Sequence, residues 1–511
     1  MSEHSAKFEP APTQEPCDSM KSVQNNSGVL NTAPGRPVNR IIAVDLDGTL
    51  VSTDMLVENL FLFLRLHPLR IFELVVWLFK GKAAFKRRLA DAIVPDVSSL
   101  PYNRPLLAWL ELQRAAGAKL VLATASDLRI ARKVSDHLGI FDSALGTEGI
   151  NLSSWNKRES LVRLFGERGY EYVGNSTADL AAWQAASVLH IANPERGVLG
   201  AARKVGKVGM IFENRPAYFS SLAQALRVHQ WTKNLLLFVP LLASHRFMEA
   251  QLLWHALLSF LAFGACASSV YLLNDLLDLP DDRQHATKCR RPLAAGTFPI
   301  LHALFLIPSL LLAAFALALW LLPIQFAGVL AVYYVLTLTY SLWLKRVVML
   351  DVVTLAMLYT VRVVAGAAAM ALVATFWILA FCMFLFLSLA FVKRYTELCD
   401  SRQKGDAEKS SGRGYHATDF ELLASLGAAS GYISVLVLAL YINDAATGTL
   451  YQSPQWMWGA CPLLLYWLSR VWLLAHRGQM HDDPIVFALR DGMSRWLGAA
   501  FVLVFALATF S

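Results

Sequence analysis

The sequence predicts two unlike parts: an α/β domain first, and after it an all-α polytopic membrane bundle of about nine transmembrane helices. Three observations predict this. The 511 residues exceed what one ordinary domain needs. Composition changes near Ser220, from a soluble-type mixture to long blocks of Leu, Ala, Val, Phe and Trp. Those blocks reach about 20 residues, enough for a helix to cross a bilayer core of about 30 Å. The mean hydropathy of +0.43 averages both parts and understates the second.

Residues 1–39 are polar and rich in Pro, Ser and Asn, without a basic stretch followed by an apolar core, and read as a disordered tail. Residues 40–215 read as the α/β domain and 216–511 as the membrane part. The six cysteines lack CxxC spacing, which suggests reduced thiols rather than a disulfide framework.

In the α/β domain a β-branched run, Ile41 to Val44, leads into Asp45-Leu-Asp47-Gly48-Thr49. Strand alternation puts Asp45 and Asp47 on one side of the chain. One suits attack on phosphorus, giving an aspartyl-phosphate, and the other suits proton exchange with the leaving group. Lys119 to Thr124 reads as a strand ending in a hydroxyl suited to phosphate. Lys157 begins a Lys-x-x-x-Leu helix, and Tyr172-Val-Gly-Asn175-Ser-Thr-Ala-Asp179 follows. This order resembles the haloacid dehalogenase superfamily. The resemblance implies a doubly wound core, a phosphoryl-transfer site on Asp45, Asp47, Thr124 and Lys157, and Mg²⁺ on Asp45, Asp47 and Asp179. That superfamily has Gly-Asp where this chain has Gly174-Asn175, so an active phosphatase and a degenerate scaffolding module both stay open. Leu56 to Phe79 is apolar but interrupted by Glu58, Arg65, His67, Pro68, Arg70 and Glu73, and reads as a helical cap or a membrane-resting hairpin.

Nine candidate spans begin near Asn234, Gln251, Pro299, Ile324, Met349, Ala374, Leu422, Trp456 and Trp496. The first is the weakest, because it must extend back through Arg227, His229 and Lys233. Fifteen cations lie in the loops after the even spans, among them Arg283, Lys288, Arg290, Arg291, Lys345, Lys393 and Arg394, whereas the alternate loops hold Arg246 alone. The positive-inside rule then puts the even loops and the N-terminal domain on the cytoplasmic side of an inner (plasma) membrane, with the C-terminus outside. It also accounts for the net charge of +8 without a nucleic-acid partner.

The stretch from Tyr271 to Gly296 carries Asn274, Asp275, Asp278 and Asp282, then Arg283, Lys288, Arg290 and Arg291. Spacings of three and four put the three carboxylates on one helical face if the span continues past Asn274. Like charges there repel, and a divalent cation removes the penalty: Mg²⁺ takes a few carboxylates and completes its shell with phosphate oxygens and water. The following cations suit phosphate oxygens. These residues resemble the NDxxDxxxD motif of the UbiA superfamily of intramembrane prenyltransferases. The resemblance covers roughly 227–511 and implies a helical bundle around a cavity that binds a diphosphate at its cytoplasmic side.

That superfamily's second carboxylate pair is incomplete here, Asp351 being followed by Leu355. Five segments are instead similar to its decaprenyl-phosphate phosphoribosyltransferase branch: Gln230 to Asn234 with Lys233, His285 to Arg291, Asp351 with Arg362, Lys393 to Leu398, and Asp482 to Arg490. The likeness implies phosphoribosyl pyrophosphate as donor and a polyprenyl phosphate as acceptor, with Mg²⁺ on Asp275, Asp278 and Asp282. Arg362, well inside its span, requires a phosphate or Asp351 as partner. Lys393 and Arg394 suit a phosphate or an interfacial anchor equally, and Tyr340, Tyr395 and Trp231 read as interface aromatics. Two alternatives remain: transfer from a prenyl diphosphate lipid to an aromatic acceptor, and a transporter or scaffold. A homo-oligomer is compatible with each.

Overall fold

The computed structural model describes residues 40–67, 70–79, 81–93, 95–148, 151–285, 287–403, 414–444, 451–480 and 483–510. The expected tail, Pro68, Asp482 and three of the fifteen loop cations, Lys404, Lys409 and Arg413, lie outside the described residues. The chain forms two compact units, one running to Ala225 and including Asp275–Leu304, the other comprising Leu226–Asn274 and Phe305–Ser511.

The first unit holds six parallel strands: β1 (Ile41–Val44), β2 (Lys119–Asp127), β3 (Ser143–Thr147), β4 (Glu171–Gly174), β5 (Leu189–Ala192) and β6 (Val208–Phe212), in the order β3-β2-β1-β4-β5-β6. Their side chains alternate between two cores. Ile42, Val44, Leu120, Leu122 and Val173 enter one, and Ala43, Ala123, Tyr172, Leu189 and Ile191 the other. Burial on both faces is why these strands read as continuous apolar runs. The order reverses about β1, so the carboxyl ends of β1, β2 and β4 meet at a switch point, where ligands of such sheets bind. Helices Met55–Leu66, Ile71–Phe79 and Lys82–Ala92 lie between β1 and β2 and close on a small core of Phe63, Leu74, Trp77, Phe85 and Leu89. The described residues of the segment 56–79 thus form two helices, the second of which leaves Phe72, Leu78 and Phe79 exposed.

Eight described helices are long and apolar enough to cross a membrane: Ala250–Leu277, Ile300–Leu321, Ile324–Leu342, Leu350–Ala369, Phe376–Cys399, Phe420–Ile442, Pro454–His476 and Gly492–Phe510. The ninth expected span, near Asn234, has another form. Val228–Phe238 is a 3₁₀ helix and Val239–Ala243 a short α-helix. Arg227, at φ +50, stops the helix from extending backward, and Pro240 sits in the first turn of the short one. At about 2.0 Å per 3₁₀ residue and 1.5 Å per α residue the two cover roughly 30 Å, a bilayer core's thickness. This segment runs parallel to Leu350–Ala369. Lys233 lies over the Tyr359 ring, Asn234 meets Arg362, and the Leu237 carbonyl packs where a Cβ on Gly366 would clash at 2.1 Å.

The carboxylate segment also differs from expectation. The long helix ends at Leu277, Asp278 is the N-cap of a new helix Leu279–Gln284, and Asp275 therefore does not share one continuous helix with Asp282. Pro280 explains the break, since it has no N–H to donate to the Leu276 carbonyl and its ring crowds that carbonyl, whereas the first turn of a new helix tolerates it.

Candidate functional site

At the switch point of the first unit, Asp45 lies just beyond β1 and accepts from Lys157 Nζ at 2.7 Å. Lys157 enters from helix Trp155–Phe165, is buried, and also reaches the Tyr172 hydroxyl at 2.9 Å and lies 3.6 Å from Asp179. Asp47 accepts from the Met55 N–H at 2.8 Å, the Ser126 hydroxyl at 2.7 Å and the Thr124 hydroxyl at 3.3 Å. Thr49 donates toward Asp45 (3.4 Å) and the Asn175 carbonyl (3.3 Å). Asp179 spends one oxygen on the N–H groups of Asn175 and Ser176, each at 3.0 Å, and the other on Tyr172, so it builds the turn that presents Asn175. Gly48 is at φ +73, and a Cβ there would lie 2.3 Å from the Asn175 amide nitrogen.

Burial pushes Asp47 up to about 6, Asp54 adds repulsion, and the Met55 N–H, Ser126 and Lys86 pull back. Burial raises Asp45 too, against the Lys157 ammonium. Burial alone would lower Lys157, but Asp45 and Asp179 outweigh it and hold it charged. Such a site suits an incoming phosphate: one carboxylate beside a fixed ammonium, and a second that exchanges protons near neutrality.

In the carboxylate segment of the same unit, Asp275 and Asp282 are buried and converge on Arg291, whose Nη1 donates to them at 3.1 and 2.6 Å. Lys288 and Arg290 form an exposed 3₁₀ turn before it. Among the described residues no three His, Cys, Asp or Glu side chains converge to hold a metal. Two carboxylates around one cationic group do fit a divalent ion that takes its remaining oxygens from phosphate and water.

The second unit has its own charged cluster. Asp483 accepts from Lys233 at 2.9 Å and Lys393 at 3.3 Å, and the Tyr359 hydroxyl donates to it at 3.3 Å. Burial would raise Asp483, but Lys393 and Lys233 hold it well below the usual carboxylate range. Arg362 is buried and donates to the Asn234 carbonyl at 3.2 Å, the Tyr333 hydroxyl at 3.3 Å and the Leu358 carbonyl. The rings of Phe263, Tyr333 and Tyr359 surround it at 5.3, 5.1 and 5.6 Å. Its partners are neutral, so of the two expected partners, a phosphate or Asp351, it does not meet Asp351. Asp351 instead accepts from Tyr415 at 2.5 Å and lies 2.8 Å from Arg394 Nε, an ion pair without hydrogen-bond alignment. Arg394 is buried against Glu397 and Tyr340, and is therefore no interfacial anchor. Tyr395 is buried and hydrogen-bonded to His476, whereas Tyr340 and Trp231 are half-buried and hydrogen-bonded to Arg394 and Ser268. Asn274 donates to Ser341 at 2.9 Å, and Lys345 lies half-buried in the turn Leu344–Arg346. The sequence singles out Asp483 only through the family likeness of the segment Asp482 to Arg490, because an Asp in a polar loop carries no signal of its own until two lysines close on it.

A family model for the UbiA prenyltransferase family matches residues 236–507. The uncharacterized protein y4nM of Sinorhizobium fredii is 37% identical over 470 residues, covering 91% of this chain and 90% of that protein. Nodulation protein NoeC of Azorhizobium caulinodans is 35% identical over 297 residues, 57% of this chain and 94% of its own. Decaprenyl-phosphate phosphoribosyltransferase of Mycobacterium tuberculosis is 28% identical over 288 residues, 55% of this chain and 92% of its own.

Proposed function

The chain belongs to the UbiA prenyltransferase family, and from that premise we propose that it transfers phosphoribose from phosphoribosyl pyrophosphate to a polyprenyl phosphate, after which its N-terminal domain removes the 5-phosphate. The observation that carries the transfer step is the cationic surplus of the membrane unit: Lys233 and Arg362 lie over the Tyr359 ring, Lys393 joins Lys233 on Asp483, and among the described residues Asp483 is the one carboxylate paired with either lysine. A buried guanidinium among neutral partners calls for an anion, and a phosphate supplies one. The likeness to a phosphoribosyltransferase favours this donor over a prenyl diphosphate. So does Asp351, whose engagement by Tyr415 and Arg394 takes it away from a leaving group.

Asp275, Asp278 and Asp282 are the residues to hold Mg²⁺, with Lys288, Arg290 and Arg291 on pyrophosphate oxygens. Bound there, the ion would draw charge from the departing pyrophosphate. The chain's own part is positioning: Arg362, Lys233 and Lys393 orient phosphate groups while the lipid phosphate oxygen bonds to C1 of the ribose and the bond from C1 to pyrophosphate breaks. In the N-terminal domain, Asp45 attacks the 5-phosphate, Asp47 gives the proton to the leaving ribose oxygen, and water releases phosphate from Asp45. Thr124 and Lys157 hold the phosphoryl oxygens. Asp45, Asp47 and the Asn175 oxygen are the set for its Mg²⁺, with Asp179 fixing the turn.

The positive-inside count puts the lipid-linked product and the N-terminal domain at the same cytoplasmic face of the inner membrane, where tethering raises effective concentration. Purified protein given Mg²⁺, phosphoribosyl pyrophosphate and polyprenyl phosphate should make lipid-linked ribose and free phosphate. Asp45→Asn should stop at lipid-linked ribose 5-phosphate. Turnover of prenyl diphosphate and an aromatic acid instead would select the other donor. If wild type also stops at the phosphorylated product at high Mg²⁺, the N-terminal domain is a scaffold.

A further inference from the structure

We propose that Glu58 and Arg283 are positioning residues for the transfer reaction, through which the cap of the N-terminal domain holds the carboxylate segment in its working shape; this rests on the transferase reading above. Arg283 lies in helix Leu279–Gln284 and points its guanidinium at Glu58, with Nη2 at 2.5 Å and Nη1 at 3.2 Å from the two carboxylate oxygens. Its Nε turns back to the Ala294 carbonyl at 3.4 Å. Both side chains are only 7% exposed. A two-pronged pair fixes direction as well as distance.

Each partner is joined to chemistry on its own side. Glu58 is in the first turn of helix Met55–Leu66, whose leading N–H, that of Met55, donates to Asp47. Arg283 directly follows Asp282, the carboxylate that shares Arg291 with Asp275. The far end of the segment is held as well. Gly296, at φ +68, sits so close to Ser52, Pro101 and Thr53 that a Cβ would lie 2.8, 3.1 and 3.2 Å from their atoms. Fixed at 283 and 296, the segment has little freedom in how it presents Arg291 to the two aspartates.

Stability alone is a poor reason for such a pair. Replacing a buried ion pair by apolar residues of similar size is often neutral or stabilising, and a retained pair is better suited to selecting one arrangement. With the fork gone, Asp282 and Arg291 lose their fixed place relative to Asp275, and the segment must be ordered by its ligands at the expense of their affinity. The expected signature is weaker binding of metal and donor, with the rate at saturation retained.

The test uses the full-length protein, with transfer measured while Mg²⁺ and phosphoribosyl pyrophosphate are varied in turn. Glu58→Gln should raise both half-saturating concentrations by about tenfold or more, with kcat within about threefold. The swap of Glu58→Arg with Arg283→Glu should recover much of the loss. Glu73→Gln, which removes an exposed ion pair of the same cap, should match wild type. Tryptic cleavage at Arg283, Lys288 and Arg290 reads the segment without turnover. Mg²⁺ with inorganic pyrophosphate should slow it in wild type, and Glu58→Gln should need about tenfold more Mg²⁺ for the same protection. Equal protection of wild type and Glu58→Gln overturns the positioning role, as does a loss that the swap leaves unrepaired and that follows a matching fall in Tm. Absence of transfer in wild type with differential protection intact overturns the transferase reading alone.

Discussion

Asp483→Asn tests the charge arrangement of the membrane unit most directly. It removes the carboxylate that Lys233 and Lys393 share and leaves two ammonium groups facing each other. Taking one partner from a buried ion pair costs about 3–5 kcal/mol. Lys233 has a side chain only 10% exposed and should feel that cost, whereas Lys393 at 31% is partly relieved by solvent, so the lower figure, about 3 kcal/mol, is the better expectation. At roughly 2–4 °C per kcal/mol for a body of this size, Tm should fall by about 6–12 °C. If the cluster receives phosphate, inorganic pyrophosphate should raise Tm more in Asp483→Asn than in wild type, because it then neutralises two cations instead of competing with a resident carboxylate. Differential scanning fluorimetry in detergent, with and without pyrophosphate, measures both quantities. An unchanged Tm would refute the buried-pair reasoning, and equal pyrophosphate shifts in the two proteins would refute the phosphate reading.

Three further outcomes follow from the same geometry. Asp275→Asn and Asp278→Asn should each abolish transfer in a radiolabelled-donor assay while leaving membrane insertion intact, and near-normal turnover in both would remove the metal assignment. Arg362→Ala should lower transfer strongly; if it lowers only Tm, Arg362 serves packing among its three rings. Asp47 has a folded pKa of about 6, above its unfolded value near 4, so the folded state binds more protons between those values and stability falls as pH rises through that window. Melting measured without Mg²⁺ should show this slope for wild type and a flatter one for Asp47→Asn, and parallel profiles would contradict it.

The fold was largely legible because its signals are local and repeated. Apolar blocks announced the eight regular spans, and the β-branched run before Asp45 announced β1. What escaped depends on partners distant in sequence. The crossing near Asn234 could not be seen as a 3₁₀ helix, because its fit depends on Gly366 giving room to the Leu237 carbonyl more than a hundred residues away. The break at Asp278 is signalled by Pro280, which the spacing of the three aspartates alone leaves out of account. Arg362 was recognised as needing a partner, yet its ring of aromatics comes from three different helices. The pairing of Asp483 with Lys233 and Lys393 spans 250 and 90 residues, beyond any window of periodicity.

Asn175 stands where the haloacid dehalogenase pattern has a carboxylate, and its surroundings indicate what the exchange does. Its carbonyl faces the Thr49 hydroxyl, which also reaches Asp45, and its amide nitrogen lies against Gly48. A carboxylate here would add a further negative charge beside Asp45 and Asp47, both already raised by burial and like charges. The neutral amide keeps the oxygen that a hard cation needs and omits the repulsion, so it weakens metal binding while making the empty site less costly. Lys157 shares that work, since its ammonium balances Asp45 whether or not a metal is bound. Under the proposed phosphatase reading, Mg²⁺ would enter together with the phosphate ester, whose own oxygens supply the negative charge that Asn175 lacks.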